Sequence, residues 1–188
     1  RDLDADLEIR VDANGAYGVR EALEIMEELV NLQVHSIEQP IAPGKWREMA
    51  KLVERAMVPI ALDEELILCP HDQRDELIET IDPDYLILKP SLLGGWQAAH
   101  EWAKMADDLG IGYWTTSALE SNLGLQWVGR FAASHPVPMA QGLGTGSLYT
   151  NNLPFDLEIR DQALWRKDAE TREIDMEAAW SKMKTPPK

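Results

Sequence analysis

The sequence predicts an α/β fold of the parallel TIM-like barrel type, present in part, and three observations predict it. Short apolar runs alternate with longer segments of helical periodicity, the pattern of a parallel sheet covered by helices. Four of the runs end in a charged residue: Asp12 in LEIRVDAN, Glu38 in HSIEQP, Asp63 in PIALDEE and Lys89 in YLILKP. These four follow one another at intervals of 26, 25 and 26 positions, about the length of one strand, one helix and two loops. In a parallel barrel such strand ends meet on one face, so the four charges are expected to converge there. At 188 residues the chain is short of the roughly 250 of a complete eight-stranded barrel, hence the partial assignment.

The first strand is expected over Leu7–Val11, with Arg10 and Asp12 on one face and Leu7, Ile9 and Val11 on the other. Ala13-Asn14-Gly15 is a turn, and a helix follows from Gly18 to Leu32, with Leu23, Met26, Leu29 and Val30 on one stripe. His35–Gln39 is the second strand, with Ser36 and Glu38 on a shared face. The helix behind it turns Trp46, Met49, Leu52 and Val53 inward. Pro59–Asp63 is the third strand, with Ala61 and Asp63 inward, and Pro70 opens a short helix ending near Ile81. Tyr85–Lys89 is the fourth strand, and the long helix after it stops at Leu109 with Gly110 in the C′ position. Gly112–Ser117 is the fifth, with Thr115 and Ser117 inward, followed by a helix over Ser121–Ser134 and a sixth short strand over Pro136–Gln141. Residues 1–152 are thus expected to form a partial barrel of six βα-type units. Residues 153–188 read as an extended or hairpin segment and a short helix. Six strands do not close this barrel, so further strands are expected before Arg1, and the opening RDLDADLEIR, which lacks Met, reads as part of a longer protein.

A formal net charge of −15 argues against nucleic acid and anionic membrane surfaces as partners. No apolar stretch approaches the roughly 20 residues of a membrane span. The single Cys69 forms no internal disulfide and fits a reducing cytoplasm.

Three carboxylates at successive strand ends are a donor set for a hard cation such as Mg²⁺, leaving room for water and substrate. Asp12, Glu38 and Asp63 are therefore candidate metal ligands. The competing reading has each acid cap a helix or pair with an exposed base. Lys89, in the same register, is a candidate base or electrostatic partner, and burial near a cation is expected to lower its pKa. Arg10 shares the face of Asp12, where it reaches substrate or orients an acid, or serves only as a structural partner. Glu64 is a possible residue behind the ligands. Ser117 either binds a carboxylate through neighbouring N–H groups or is simply the hydroxyl at a helix N-terminus. Gly142, Gly144 and Gly146 either let backbone approach a ligand or merely make turns.

RVDANGAY, SIEQPI, LDEEL and LKPSLLGG together resemble the enolase superfamily, and SALESNLGL and QGLGTG narrow the resemblance to its o-succinylbenzoate synthase family. The resemblance spans nearly all of residues 7–152. It implies a modified (βα)7β barrel, with the first strands and an N-terminal capping domain missing from this stretch. It implies Mg²⁺ held by Asp12, Glu38 and Asp63, Lys89 and Arg10 as catalytic groups, and Asn14, Ser117, Gly142 and Leu143 at the substrate. The implied reaction is a lyase step of menaquinone synthesis in the cytoplasm. A proton α to a carboxylate leaves through an enediolate, and water is lost to give 2-succinylbenzoate. In that family a lysine of a KxK motif, on the strand before the first ligand, takes the proton while the residue matching Lys89 faces it as a cation. No KxK motif precedes Asp12 here, so this stretch alone is expected to be weak or inactive. The rival expectations are N-acylamino acid racemisation or dipeptide epimerisation on the same ligands, and a non-catalytic scaffold.

Overall fold

A computed structural model describes residues 7–149, 157–161 and 163–166. Five parallel strands lie side by side in chain order: β1 (Arg10–Asp12), β2 (Ser36–Glu38), β3 (Ile60–Leu62), β4 (Tyr85–Leu88) and β5 (Gly112–Thr115). Helices α1 (Val19–Asn31), α2 (Trp46–Arg55), α3 (Glu64–Leu68), α4 (Arg74–Ile81), α5 (Trp96–Leu109) and α6 (Asn122–Ser134) separate or follow them. The result is a parallel half-barrel. An antiparallel pair, β6 (Leu157–Arg160) and β7 (Ala163–Arg166), occupies the stretch expected to be extended or hairpin. The short helix expected near the C-terminus lies outside the described residues.

The alternation of side chains sorts the core into two layers. Ile37, Ile60, Leu62, Leu86, Leu88 and Tyr113 face the helices and join Met26, Met49, Leu52, Leu77 and Trp102 in one cluster. On the α1 stripe, Met26 is buried and Leu23 and Leu29 pack against this cluster, while Val30 is exposed. The opposite face carries Ala61, Ile87 and Trp114, with Tyr85 and Met139 packed on them. Arg10 lies over the Trp114 ring, 4.1 Å from its centroid.

Three expectations change. Thr115 does not face inward, because Trp114 pairs in register with Ile87 and takes the inner position. Pro136–Gln141 is not a strand. Pro136 and Pro138 have no N–H to give a ladder, and the Thr115 N–H is taken instead by the side-chain Oε1 of Gln141, at 2.7 Å. What remains is a single parallel bridge between Thr116 and Gly142. Pro70 opens a 3₁₀ turn, His71–Gln73, rather than the helix itself, and the acidic pair Glu64-Glu65 starts the unexpected α3 directly after Asp63.

At the lower end of the inner face, Tyr85 packs on His35 and Trp114 with ring centroids 5.0 and 5.5 Å away. Gly112 makes that packing possible: a Cβ there would sit 2.5 Å from the Tyr85 ring. Gly112→Ala is therefore expected to cost about 1–3 kcal/mol. Thermal unfolding checks it, and Gly112→Ala combined with Tyr85→Leu should recover most of the loss. Equal stability of Gly112→Ala and the parent would show that the ring stack yields freely.

Candidate active site at the strand ends

Asp12 and Glu38 close β1 and β2, Asp63 stands one residue past β3, and Lys89 one past β4. The register brings them together. Asp12 pairs with Glu38, Glu38 with Ala61, and Ala61 with Tyr85. Asp63 thus lies one inner position beyond Glu38, and Lys89 one beyond Asp63, each step about 6.6 Å of strand. This climb lets the long Lys89 side chain lean back over the acids. Its Nζ donates to Glu38 Oε1 at 3.4 Å and to Asp63 Oδ2 in a shorter contact.

The electrostatics follow from that crowding. Burial and then the Asp12 charge push the Glu38 carboxyl up to about 8, with the Asp63 charge and a hydrogen bond to Asp63 adding to the rise against the opposing pull of Lys89. Burial alone would depress Lys89, as expected from the sequence. The hydrogen bond and charge of Asp63, and then of Glu38, outweigh it and hold the ammonium above its ordinary value. Burial also raises Glu64, with the charges of Asp63 and Asp12 in the same direction. Asp63 Oδ1 and Glu64 Oε2 are shut from solvent without a hydrogen-bond partner. Among the described residues, no three His, Cys, Asp or Glu side chains are gathered closely enough to hold an ion as they stand. The donor set nonetheless fits a hard cation: it is all carboxylate, it includes an orphaned buried oxygen, and among the described residues Lys89 pairs with two of its acids.

Asn14 has φ +46°, and its N–H caps Asp12 Oδ1 at 2.9 Å, fixing that carboxylate in the turn. Arg10 lies deeper on the same face and donates to the Ala140 carbonyl at 2.9 Å while pairing with Glu8. It is not in contact with the acids beside Lys89. Ser117, Gly142 and Leu143 stand on the β5 side, in the loops beyond it. Ser117 N donates to the Gly142 carbonyl at 3.0 Å, and Leu143 precedes a 3₁₀ turn over Gly144–Leu148. The Ser117 hydroxyl is fully engaged: it donates to Glu120 Oε2 at 2.5 Å and accepts from Thr145 Oγ1 and Leu119 N.

Glu120 escaped the sequence reading. It also accepts from Ala118 N and Ser91 Oγ, so it ties the loop after β5 to the loop after β4. Burial works against its ionisation, but the hydrogen bonds from Ser117 and Ser91 and from backbone prevail and hold it below the ordinary range. Gln39, wholly buried between Glu38 and Pro40, was missed as well. Its signal was available: an amide at the end of a parallel strand needs partners for four hydrogen bonds.

Among the described residues no helix is long and apolar enough to cross a membrane. The model of the family described as Enolase C-terminal domain-like matches residues 1–169. The chain is 52% identical over 153 residues to an o-succinylbenzoate synthase of Desulfotalea psychrophila, covering 81% of this chain and 42% of that relative. It is 33% identical over 138 residues to an o-succinylbenzoate synthase of Thermobifida fusca, covering 73% and 41%. The crystal structure of MenC from Desulfotalea psychrophila superposes with a TM-score of 0.81 at 51% identity, over 84% of this chain and 44% of that one. The L-Ala-D/L-Glu epimerase of Bacillus subtilis shares the fold, with a TM-score of 0.79 at 20% identity, over 87% and 46%. The chain thus spans less than half the length of the curated relatives it matches. With a half-barrel whose strand ends gather Asp12, Glu38, Asp63 and Lys89, and a family model matched over 169 of its 188 residues, this chain belongs to the Enolase C-terminal domain-like family.

Proposed function

We propose that this chain forms the cation-holding wall of an o-succinylbenzoate synthase-like lyase, a Mg²⁺-dependent dehydratase of menaquinone synthesis in the cytoplasm. Its substrate is a small carboxylate, and neither nucleic acid nor membrane is a partner. A capping domain of the same protein closes the site. The observation that carries this reading is Lys89 bridging Glu38 and Asp63 at the strand ends, in a chain 52% identical to a protein of that name. Asp12, Glu38 and Asp63 would hold the ion. When bound, Mg²⁺ supplies positive charge that steadies the negative charge developing on the substrate carboxylate. Lys89, held as an ammonium, presents a second fixed positive charge as the α-proton leaves. Asn14 keeps Asp12 oriented, and Arg10 supports the inner face below. Ser117, Gly142 and Leu143 border the substrate from the β5 side, where Glu120 accepts from Ser117 and Ala118.

The full-length gene product decides the matter. The expected result is Mg²⁺-dependent formation of 2-succinylbenzoate, abolished by chelation and restored by Mg²⁺. Faster racemisation of N-acylamino acids or epimerisation of dipeptides would replace this reading with the sister activity. Absence of both turnover and calorimetric Mg²⁺ binding would leave a scaffold.

A further inference from the structure

We propose that Gln39 is a positioning residue that holds the three acid-bearing strand ends in one geometry, with Glu65 as the group that locks it. The inference rests on the reading that those acids bind a divalent cation. Gln39 is 0% exposed, and its φ of +37° is one that a residue with a side chain adopts only when its surroundings demand it. Its amide makes four hydrogen bonds, its full capacity. Oε1 accepts from Asp63 N and Glu65 N, each at 3.2 Å. Nε2 donates to the Ile41 carbonyl at 3.0 Å and to Glu65 Oε2 at 3.3 Å.

Together with the backbone bonds of Gln39 these reach the strand ends that carry the acids. The amide oxygen holds the backbone of Asp63. The Gln39 carbonyl accepts from Gly15 N at 2.6 Å, and Gly15 lies in the turn that caps Asp12. Gln39 itself directly follows Glu38, and its own N–H donates to the Ala61 carbonyl at 2.9 Å. One residue is therefore bonded to the β1 and β3 ends and covalently joined to the β2 end. Glu65 completes the lock, since its Oε1 accepts from Gly44 N at 2.7 Å in the loop after β2. Turning the amide over would set its NH₂ against two N–H donors and its oxygen against a carbonyl and a carboxylate. Only one orientation, and hence one placement of Asp63 relative to Glu38, satisfies all partners.

The chemistry suggests a reciprocal exchange. In Gln39→Glu, one carboxylate oxygen still accepts from Asp63 N and Glu65 N, but the other faces the Ile41 carbonyl and Glu65 Oε2. In Glu65→Gln, a new NH₂ meets either Gln39 Nε2 or Gly44 N. In the double variant Gln39→Glu/Glu65→Gln, the new amide donates to the new carboxylate and its oxygen accepts from Gly44 N. The one unfavourable contact left is at the Ile41 carbonyl, which loses its donor and faces a carboxylate oxygen.

Calorimetric Mg²⁺ titration and thermal unfolding of the full-length gene product test this. Each single variant is expected to weaken Mg²⁺ binding by about 10- to 100-fold. The double variant is expected to return to within roughly threefold of the parent, the non-additivity of a direct pair. Folded single variants that bind Mg²⁺ within about twofold of the parent would overturn the proposal, because a merely structural glutamine lowers the unfolding midpoint and leaves affinity alone. If the single variants do not fold, the double variant decides. Affinity near the parent's supports the proposal, whereas a tenfold loss, or failure to fold, overturns it. A parent that binds no Mg²⁺ would instead remove the cation reading on which the proposal rests.

Discussion

Lys89→Met in the full-length gene product is expected to lower kcat about a thousandfold at saturating Mg²⁺, with little change in KM. Methionine keeps the length and the apolar stem of the side chain and removes its charge. The Lys89 side chain is 16% exposed beside Glu38 and Asp63, and those acids hold its ammonium protonated. A fixed positive charge in a partly dry site acts most strongly where negative charge develops, so the loss falls on the transition state rather than on binding. The same substitution leaves the buried Asp63 carboxylate without its cation, and breaking such a pair costs about 3–5 kcal/mol. That cost is expected only without Mg²⁺, which replaces the lost charge. Stability with and without Mg²⁺ therefore separates the two effects. A variant that loses stability without Mg²⁺ yet turns over within tenfold of the parent would reduce Lys89 to an ion-pair partner. Lys89→Arg is not expected to restore the rate, because a planar guanidinium does not place its charge where an ammonium does.

Much of this site is legible in the chain because strand parity is a local property. Asp12, Glu38, Asp63 and Lys89 share a face with Arg10, Ser36, Ala61 and Ile87, and two-residue alternation alone assigns them to it. The layers of the core follow for the same reason. Parity fails where the ladder ends or is replaced. Glu64 belongs by alternation to the other face, yet α3 begins at it and carries it towards Asp63. The sixth strand failed because a glutamine side chain does the work of a backbone carbonyl beside two prolines, a substitution invisible to hydropathy. For Thr115 alternation gives two sets of residues but not which set faces in, and the ladder of β5 ends at Thr115 rather than at Ser117. The pairing of Trp114 with Ile87 sets the true face. Gln39, Glu65 and Glu120 were silent for another reason. Their roles consist of hydrogen bonds to residues 21 to 29 positions away or to groups of neighbouring loops, and no periodicity records such partners.

Glu38→Gln is expected to stabilise the protein without Mg²⁺ and to destroy its Mg²⁺ affinity, opposite effects from one side chain. In the folded protein, burial and the Asp12 charge push the Glu38 carboxyl from 4.5 to about 8. The folded state therefore holds this proton more tightly than the unfolded chain. Such a group contributes stability that is complete below its ordinary value and is lost as the pH rises through the folded one. Without Mg²⁺, the parent should lose stability between about pH 4.5 and 8. Glutamine does not titrate, still accepts from Lys89, and relieves the repulsion among the acids. Above pH 8 its gain is expected to be on the order of 2 kcal/mol, roughly 4–8 °C in unfolding midpoint for a chain of this size. The same neutralisation removes one of three anionic donors, and Mg²⁺ binding should weaken about a hundredfold. Saturating Mg²⁺ should flatten the parent's decline, because the ion holds Glu38 ionised against the burial and the repulsion that raise it. Unfolding midpoints from about pH 5 to 9, with and without Mg²⁺, and calorimetric titration at one pH measure both signs. Parallel pH profiles for variant and parent would show that Glu38 is not the group under strain. Undiminished Mg²⁺ binding by the variant would remove it from the ligand set, leaving Lys89 and Asp63 as a pair with a different purpose.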